Sequence, residues 1–286
     1  MPKQVARDGR QGAVTTLRMA AVTDPGRLRA GNEDSISTRP ELGLAVLADG
    51  MGGHLAGEVA SGMAVEIITR HLVNVFARNG SGGGASPNDR SPETRAVDDA
   101  IQIANAAVHE ASQARPECAG MGSTVVVAVF HQDKISFGHV GDSRLYRFRA
   151  GKLEQLTKDH SVIQELVNRG LLTLAEARAS IAKNLVTPAL GVDPVVAADL
   201  AEQTLQEADI YLLCSDGLND VLADADIEAY LAAHGKDLDG TARRLVDEAN
   251  ARGGPDNISV ILVRTDARFV RSRKAAKTLQ SALNQA

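Results

Sequence analysis

The stretch 123–149 constrains the fold of this chain most, because three strand-like runs follow one another with little chain between them. The runs cover 123–130, 134–140 and 144–149, and each connection is three residues long. Connections this short join antiparallel neighbours, whereas parallel strands need a crossover of a dozen or more residues. The stretch therefore predicts antiparallel β-structure built from hairpins.

Helix-like periodicity flanks this strand region. Apolar residues recur every three or four positions over 57–76 and 95–113, which predicts two core-facing helices. We predict further helices and strands at these positions: helices at 161–168, 173–179, 226–233 and 238–252, and strands at 43–48, 210–214 and 258–263. No repeat and no proline-rich linker divides these elements into two cores, so we predict one α+β domain over 14–263. A flexible arm, 1–13, precedes it, and a basic tail, 264–286, follows it.

The distribution of charge argues against nucleic acid as a partner. The net charge is −5, and 268–286 holds five basic residues and no acid. Subtracting those five charges leaves −10 for the rest of the chain. A body this acidic repels a phosphate backbone.

The same composition bears on location. No apolar run approaches the roughly 18 residues that cross a bilayer, so no transmembrane segment is expected. Residues 1–19 contain no apolar block before a small-residue cleavage site, so no secretory signal is predicted. Two cysteines are too few for a disulfide framework. We therefore expect a cytoplasmic protein.

Four aspartates stand next to predicted buried strands. Asp49 and Asp216 directly follow strands, Asp142 follows another in a glycine-bounded turn, and Asp256 precedes the last. If these carboxylates meet, each pair near 4 Å costs about 4 kcal/mol at an effective dielectric constant of about 20. Bound cations would offset that repulsion, and oxygen ligands without a His or Cys cluster favour Mg²⁺ or Mn²⁺ over Zn²⁺. Taken singly, each aspartate is better explained as part of a surface turn, but the four together favour a metal site.

Six motifs then occur in a familiar order. They are DPGRLRAGNED at 24–34, LADGMGGH at 47–54, GMGSTV at 120–125, HVGDSR at 139–144, LCSDGL at 213–218 and GPDNISV at 254–260. This series resembles the type 2C metal-dependent serine/threonine protein phosphatases, especially the bacterial form. The resemblance implies an antiparallel β-sandwich flanked by helices on both outer faces, with a two-metal site at one end.

The resemblance also implies a set of metal ligands. Asp49 would bridge two Mn²⁺ or Mg²⁺ ions, and the carbonyl of Gly50 would complete the shell of one of them. Asp216 and Asp256 would ligate the other ion. Glu33 and Asp34 would hold the second ion, directly or through water. Asp142, together with the Asp216 position, would hold a third, weaker ion.

Two further residues would act on the substrate. Arg29 matches the phosphate-binding arginine, whose fork can bind two phosphoryl oxygens. His54 is the candidate general acid for the departing serine or threonine oxygen. Bacterial relatives have methionine at the position of Met51 and histidine three positions later, whereas eukaryotic relatives have histidine at the first of these. Asn257 would orient Asp256 from behind.

One departure from the family concerns the segment 164–194, which resembles the flap beside the catalytic cleft. Pro188 stands where bacterial members usually have arginine, so substrate preference does not carry over.

The predicted function is hydrolysis of phosphoserine and phosphothreonine in proteins by a metal-activated water. The expected partners are phosphoproteins, substrates of a cognate serine/threonine kinase, and the expected state is a monomer. Two alternatives are a non-catalytic phosphoprotein-binding relative, suggested by the altered flap, and a two-metal nuclease or small-molecule phosphomonoesterase. The acidic body argues against the nuclease.

Overall fold

A computed structural model describes residues 17–52, 55–79, 90–160, 188–265 and 273–284. The strands are β1 Arg18–Asp24, β2 Asp34–Arg39, β3 Leu44–Met51, β4 Gly122–Ser123, β5 Val125–His131, β6 Lys134–Val140, β7 Arg144–Arg149, β8 Lys152–Gln155, β9 Asp199–Thr204, β10 Ile210–Cys214 and β11 Ile258–Arg264. The α-helices are α1 Leu55–Asn79, α2 Pro92–Ala114, α3 Asp216–Asn219, α4 Asp224–His234, α5 Leu238–Ala251 and α6 Arg273–Leu283. Among the described residues, no helix is long and apolar enough to cross a membrane.

The strands form two antiparallel sheets. Sheet A has the order β1-β11-β10-β7-β8, and sheet B has the order β2-β3-β5-β6-β9, with β4 paired to the end of β3. Because strand side chains alternate between faces, every second residue of the central strands points into the space between the sheets. There, Leu47 and Phe130 of sheet B pack with Tyr211, Leu213 and Ile261 of sheet A.

The helices cover the two outer faces. On sheet B, Ile68 and Leu72 of α1 and Ile101 of α2 are fully buried in one outer core. On sheet A, Ile227 of α4 and Leu245 of α5 are buried in another. The four layers confirm the predicted α+β fold, an antiparallel β-sandwich with helices on both outer faces.

The expectation of consecutive hairpins was half right. β5 and β6 form the predicted hairpin, but β6 and β7 belong to different sheets, so the connection 141–143 crosses from sheet B to sheet A. The free edge of β6 pairs with β9, and β7 pairs with β10. Gly141 makes the crossing with φ of 100°, and a Cβ there would lie 2.7 Å from the Thr124 side chain. The crossing carries Asp142 to the end of the sandwich.

Several elements were absent from the sequence prediction. β1, β2, β8 and β9 are edge or near-edge strands with mixed polar and apolar residues. The region expected to be a basic tail contains α6, which packs on α1. Ala276 is fully buried, and the Gln280 amide donates a hydrogen bond to Asn74. The helices predicted at 161–168 and 173–179 lie outside the described residues.

Candidate metal centre

Two of the predicted acids face each other at one end of sheet B. The register of β2 and β3 places Asp34 directly opposite Asp49. Both lie on the face that also carries Ile36 and Leu47, whose side chains pack between the sheets. Each carboxylate is therefore largely enclosed by protein at the rim of the sandwich.

Three more predicted acids approach from the chain segments that join or leave sheet A. Asp216 begins α3 immediately after β10, Asp256 lies two residues before β11, and Asp142 lies in the crossing turn. Burial raises the pKa of Asp49 well above its usual value, and the charges of the other four predicted aspartates raise it further. The structure thus brings Asp34, Asp49, Asp142, Asp216 and Asp256 into one acid cluster.

Three other members of the acid cluster, Asp34, Asp142 and Asp216, also have raised pKa values. Burial is the largest cause in each case, and it raises the pKa of Asp34 to about 6, that of Asp142 to about 6 and that of Asp216 to about 7. Neighbouring carboxylates add to each shift. At neutral pH the cluster is costly for the folded chain unless positive charge compensates it.

Oxygen atoms in the cluster show that a cation fits. Asp34 Oδ1 and Asp216 Oδ1 are buried and have no hydrogen-bond partner among the described residues. A buried acceptor left unsatisfied costs about 1–3 kcal/mol, and more for a charged group. A cation would satisfy both atoms, and carboxylate oxygens suit Mg²⁺ and Mn²⁺.

Sequence reasoning missed one acid of this neighbourhood. The charge of Asp220 raises the pKa of both Asp142 and Asp216. Asp220 follows Asp216 by four residues, the spacing that puts two side chains on one face of a helix. That spacing was the available signal, and it stood within the sequence DGLND at 216–220.

Glu33, the residue before Asp34, packs closely against the start of α1. The Glu33 carboxylate lies against the first turn of α1, where a Cβ on Gly57 would be 2.0 Å from Glu33 Oε2. The Gly50 amide donates to the Glu33 carbonyl oxygen over 3.0 Å, and a Cβ on Gly50 would be 2.1 Å from the Gly57 carbonyl oxygen. Only glycine fits at 50 and 57, because the backbones approach so closely.

Backbone contacts from a neighbouring motif hold Asp49. The amide of Thr124 donates to the Asp49 carbonyl oxygen over 2.8 Å, and the Asp49 amide donates to Thr124 Oγ1 over 3.1 Å. The Ser123 hydroxyl donates to the same carbonyl over 2.9 Å. The motif at 120–125 therefore fixes the position of the central carboxylate.

Asn257 holds the loop that carries the first motif. Its Nδ2 donates to the carbonyl oxygens of Pro25 and Gly31, over 2.9 and 2.8 Å, and its Oδ1 accepts from the Glu33 amide over 2.8 Å. Its own amide donates to Asp256 Oδ1 over 2.8 Å. Asn257 thus contacts Asp256, the acid that it was predicted to orient, and it also anchors 25–33.

Arg29 lies beside the acid cluster. Its Nη2 donates to Asp256 Oδ2 over 2.6 Å, and half of its side chain (52%) stays exposed. An arginine has five N–H donors, so this contact leaves others for a second anion. His54 and residues 164–187 of the flap lie outside the described residues.

Ser215 joins the two sheets at the cluster. Its hydroxyl donates to Asp34 Oδ2 over 2.8 Å and accepts from the Ser259 amide over 2.9 Å. We expect Ser215→Ala to weaken Mn²⁺ binding by about 10- to 100-fold, because the Asp34 carboxylate loses the contact that orients it. Isothermal titration calorimetry measures the change. Ser35→Ala is the control, since the Ser35 hydroxyl contacts Ser61 instead; equal affinities in both variants would refute the role of Ser215.

Comparison with known proteins adds to this geometry. A model of the family described as protein phosphatase 2C matches residues 29–253. The serine/threonine protein phosphatase PstP of Mycobacterium tuberculosis is 36% identical over 246 residues, which is 86% of this chain but 44% of that protein. The chain therefore spans less than half the length of that relative. The serine/threonine phosphatase Stp of Listeria monocytogenes is 34% identical over 257 residues, which is 85% of this chain and 94% of that protein.

Solved structures show the same fold. The crystal structure of M. tuberculosis PstP superposes with a TM-score of 0.75 at 35% identity and covers 88% of this chain and 100% of its own. The catalytic domain of PstP in complex with two manganese ions gives 0.72 at 34% identity, over 88% and 99% of the two chains. The motifs, the two sheets with their outer helices, and these matches lead to one conclusion: the chain belongs to the protein phosphatase 2C family.

Proposed function

We propose that this protein is a metal-dependent phosphatase that removes phosphate from phosphoserine and phosphothreonine in proteins. The main support is the convergence of five aspartates from both halves of the sandwich, two of which have buried oxygens without a partner among the described residues. The relatives named serine/threonine phosphatases, and the PstP domain solved with two manganese ions, add support.

In this proposal the acid cluster holds two Mn²⁺ or Mg²⁺ ions. Asp49 would help to hold both ions, since the charges of all four other predicted aspartates act on its carboxylate. Asp216 and Asp256 would hold one ion from the sheet A side, and Asp34 would hold the other directly or through water. When bound, such ions supply Lewis acidity that activates a water for in-line attack on phosphorus. Asp142 and Asp220, beside Asp216, would hold a third, weaker ion.

Arg29 binds the phosphoryl group in this proposal. The loop before it packs against Asp256: a Cβ on Gly26 would be 2.1 Å from the Asp256 carbonyl oxygen. The guanidinium is thereby held at the edge of the acid cluster, where its remaining donors can bind two phosphoryl oxygens. His54, three residues after Met51, is proposed to donate the proton that the departing alkoxide needs.

We expect Arg29→Ala to lower kcat/KM for a phosphopeptide by about 10- to 100-fold, the value of one charged hydrogen bond of roughly 1.5–3 kcal/mol. Arg29→Lys should recover part of the loss, since lysine keeps the charge without the fork. Steady-state kinetics with Mn²⁺ at saturation measures both. Arg27→Ala, two residues earlier, is the matched control, and an equal loss there would show that only loop structure is affected.

Hydrolysis of a phosphothreonine peptide tests the proposal as a whole. Phosphate release should require Mn²⁺ or Mg²⁺, stop with a chelator, and exceed the rates on a sugar phosphate and on DNA. Faster turnover of the sugar phosphate would favour a small-molecule phosphomonoesterase. Binding of the phosphopeptide without hydrolysis, with metal present, would favour a non-catalytic relative and overturn the proposal.

A further inference from the structure

A second group of metal-binding side chains lies apart from the acid cluster. It consists of His139 in β6, His160 shortly after β8, and Asp199, the first residue of β9. A ring nitrogen of each histidine and a carboxylate oxygen of Asp199 all lie within 4.8 Å of one another. The antiparallel register places His139 directly opposite Asp199. None of the three was assigned a role by the sequence analysis.

The three side chains are already in contact. His160 Nε2 lies 3.1 Å from Asp199 Oδ2, and the two imidazole rings stack with their centroids 4.6 Å apart. His139 is only 2% exposed, whereas 62% of the Asp199 side chain is open to solvent. The group therefore has a buried imidazole on one side and a solvent-exposed carboxylate on the other, so an ion can reach it from solvent.

Hydrogen bonding assigns the proton of His139. Its Nε2 lies 2.9 Å from the carbonyl oxygen of Lys158, so this nitrogen carries the hydrogen and Nδ1 keeps its lone pair. Nδ1 is buried and has no hydrogen-bond partner among the described residues. A backbone carbonyl that fixes the tautomer in this way is typical of metal-bound histidines. The ring is thus in the neutral form that binds metals.

We propose that His139, His160 and Asp199 form a site for a transition-metal ion, with Zn²⁺ as the ion that the donors suit best. Two imidazole nitrogens and one carboxylate oxygen match the three protein ligands of an open four-coordinate zinc site. The all-oxygen acid cluster suits hard ions instead. The two sites therefore differ in the metal that they select.

Binding requires small rearrangements that the structure allows. Ligand atoms around Zn²⁺ lie about 3.3 Å apart, given bond lengths of about 2.0 Å. Any pair of ligand atoms now near the 4.8 Å limit must therefore move closer, and the exposed Asp199 side chain has the most room to adjust. His160 Nε2 donates to Asp199, so this nitrogen must lose its hydrogen before its lone pair can bind the ion. That hydrogen moves to Nδ1, which at present accepts a long, 3.3 Å bond from the Gly141 amide. Two contacts, from His160 to Asp199 and from the Gly141 amide to His160, are exchanged for three metal–ligand bonds.

Calorimetric titration of the full chain with Zn²⁺, in saturating Mg²⁺, tests this site independently of phosphatase activity. We expect one Zn²⁺ equivalent, bound at least about 10-fold more weakly by Asp199→Ala and by His160→Gln. Asp193→Ala is the matched control: it removes an exposed acid from the same region and should change nothing. Circular dichroism checks that Asp199→Ala, a surface change, remains folded.

Co²⁺ gives a spectroscopic readout of the same site. Nitrogen-ligated four-coordinate Co²⁺ absorbs visible light far more strongly than six-coordinate oxygen-ligated Co²⁺. The native chain in excess Mg²⁺ should develop this strong band, and Asp199→Ala should not. Zinc affinity that is the same in the native chain, Asp199→Ala and His160→Gln would overturn the proposal, because any uptake would then occur at the acid cluster. Absence of the band in the native chain would also overturn it.

Discussion

The Asp216→Asn variant is expected to hydrolyse a phosphothreonine peptide about 10³-fold more slowly than the native chain, since bound metal supplies several kcal/mol of transition-state stabilisation. Asp216 belongs to the acid cluster, and its buried Oδ1 has no hydrogen-bond partner among the described residues. Replacing the carboxylate with an amide therefore removes a charged ligand without breaking a described hydrogen bond of Oδ1. Phosphate release under saturating Mn²⁺ measures the loss.

Asp239→Asn provides a matched control. Asp239 is also followed by glycine, but it is exposed on α5 and stands outside the acid cluster. Its variant should keep native activity. A fully active Asp216→Asn would contradict both the metal site and the proposed reaction.

Removal of metal is expected to make the stability of the protein fall as the pH rises. Folding raises the pKa values of Asp34, Asp142 and Asp216 from 3.8 to about 6, 6 and 7, and it also raises the pKa of Asp49 well above 3.8. A carboxyl whose pKa is higher in the folded state holds its proton there at a pH where the unfolded chain has lost it. In the chelated protein, the contribution of these groups to stability is therefore fully present below about pH 4. It is lost as the pH rises to about 7 and beyond.

Mn²⁺ should reverse this dependence, because the ion binds the charged carboxylates. We expect the difference in Tm between the Mn²⁺-bound and chelated protein to grow by at least about 5 °C between about pH 5.5 and pH 8, equivalent to roughly 2 kcal/mol. Calorimetry at several pH values measures it. Burial lowers the pKa of His71 and His139, so these groups act in the opposite direction, but they contribute to both forms and largely cancel in the difference.

Asp216→Asn separates this effect from general instability. With chelator present, this variant should melt at a higher temperature than the native chain at pH 8, because it removes one of the repelling charges. At low pH, where the native carboxyl is protonated, the two should melt alike. A chelated native protein whose Tm is independent of pH, or an Asp216→Asn that is less stable at pH 8, would contradict the electrostatic account.

The sequence supported the layers and the acids because both depend on local signals. A buried strand such as the predicted 258–263 is a mostly apolar run, and an acid beside such a run lies at the rim of a sheet. The motif resemblance indicated which of these acids meet at one site. The fold class and the convergence of the five aspartates could therefore be predicted before any coordinates.

What could not be predicted depends on pairing between distant segments. β9 reads DLAEQT, which has no strong strand signal, and it becomes a strand because the edge of β6 lies free beside it. The same pairing brings Asp199 to His139, so the proposed zinc site had no signature in the sequence. The crossing at 141–143 has the length of a hairpin loop. It connects the two sheets because β6 pairs with β9 and β7 pairs with β10.

The hydrogen bond from Ser215 to Asp34 has a mechanical consequence, since its two ends belong to opposite sheets. Sliding one sheet across the other would stretch this bond and pull Asp49 and Asp34 away from Asp216 and Asp256. Ions held between these acids would act as cross-links that resist such shear. Metal occupancy would then set how far the two halves of the sandwich move against each other in solution.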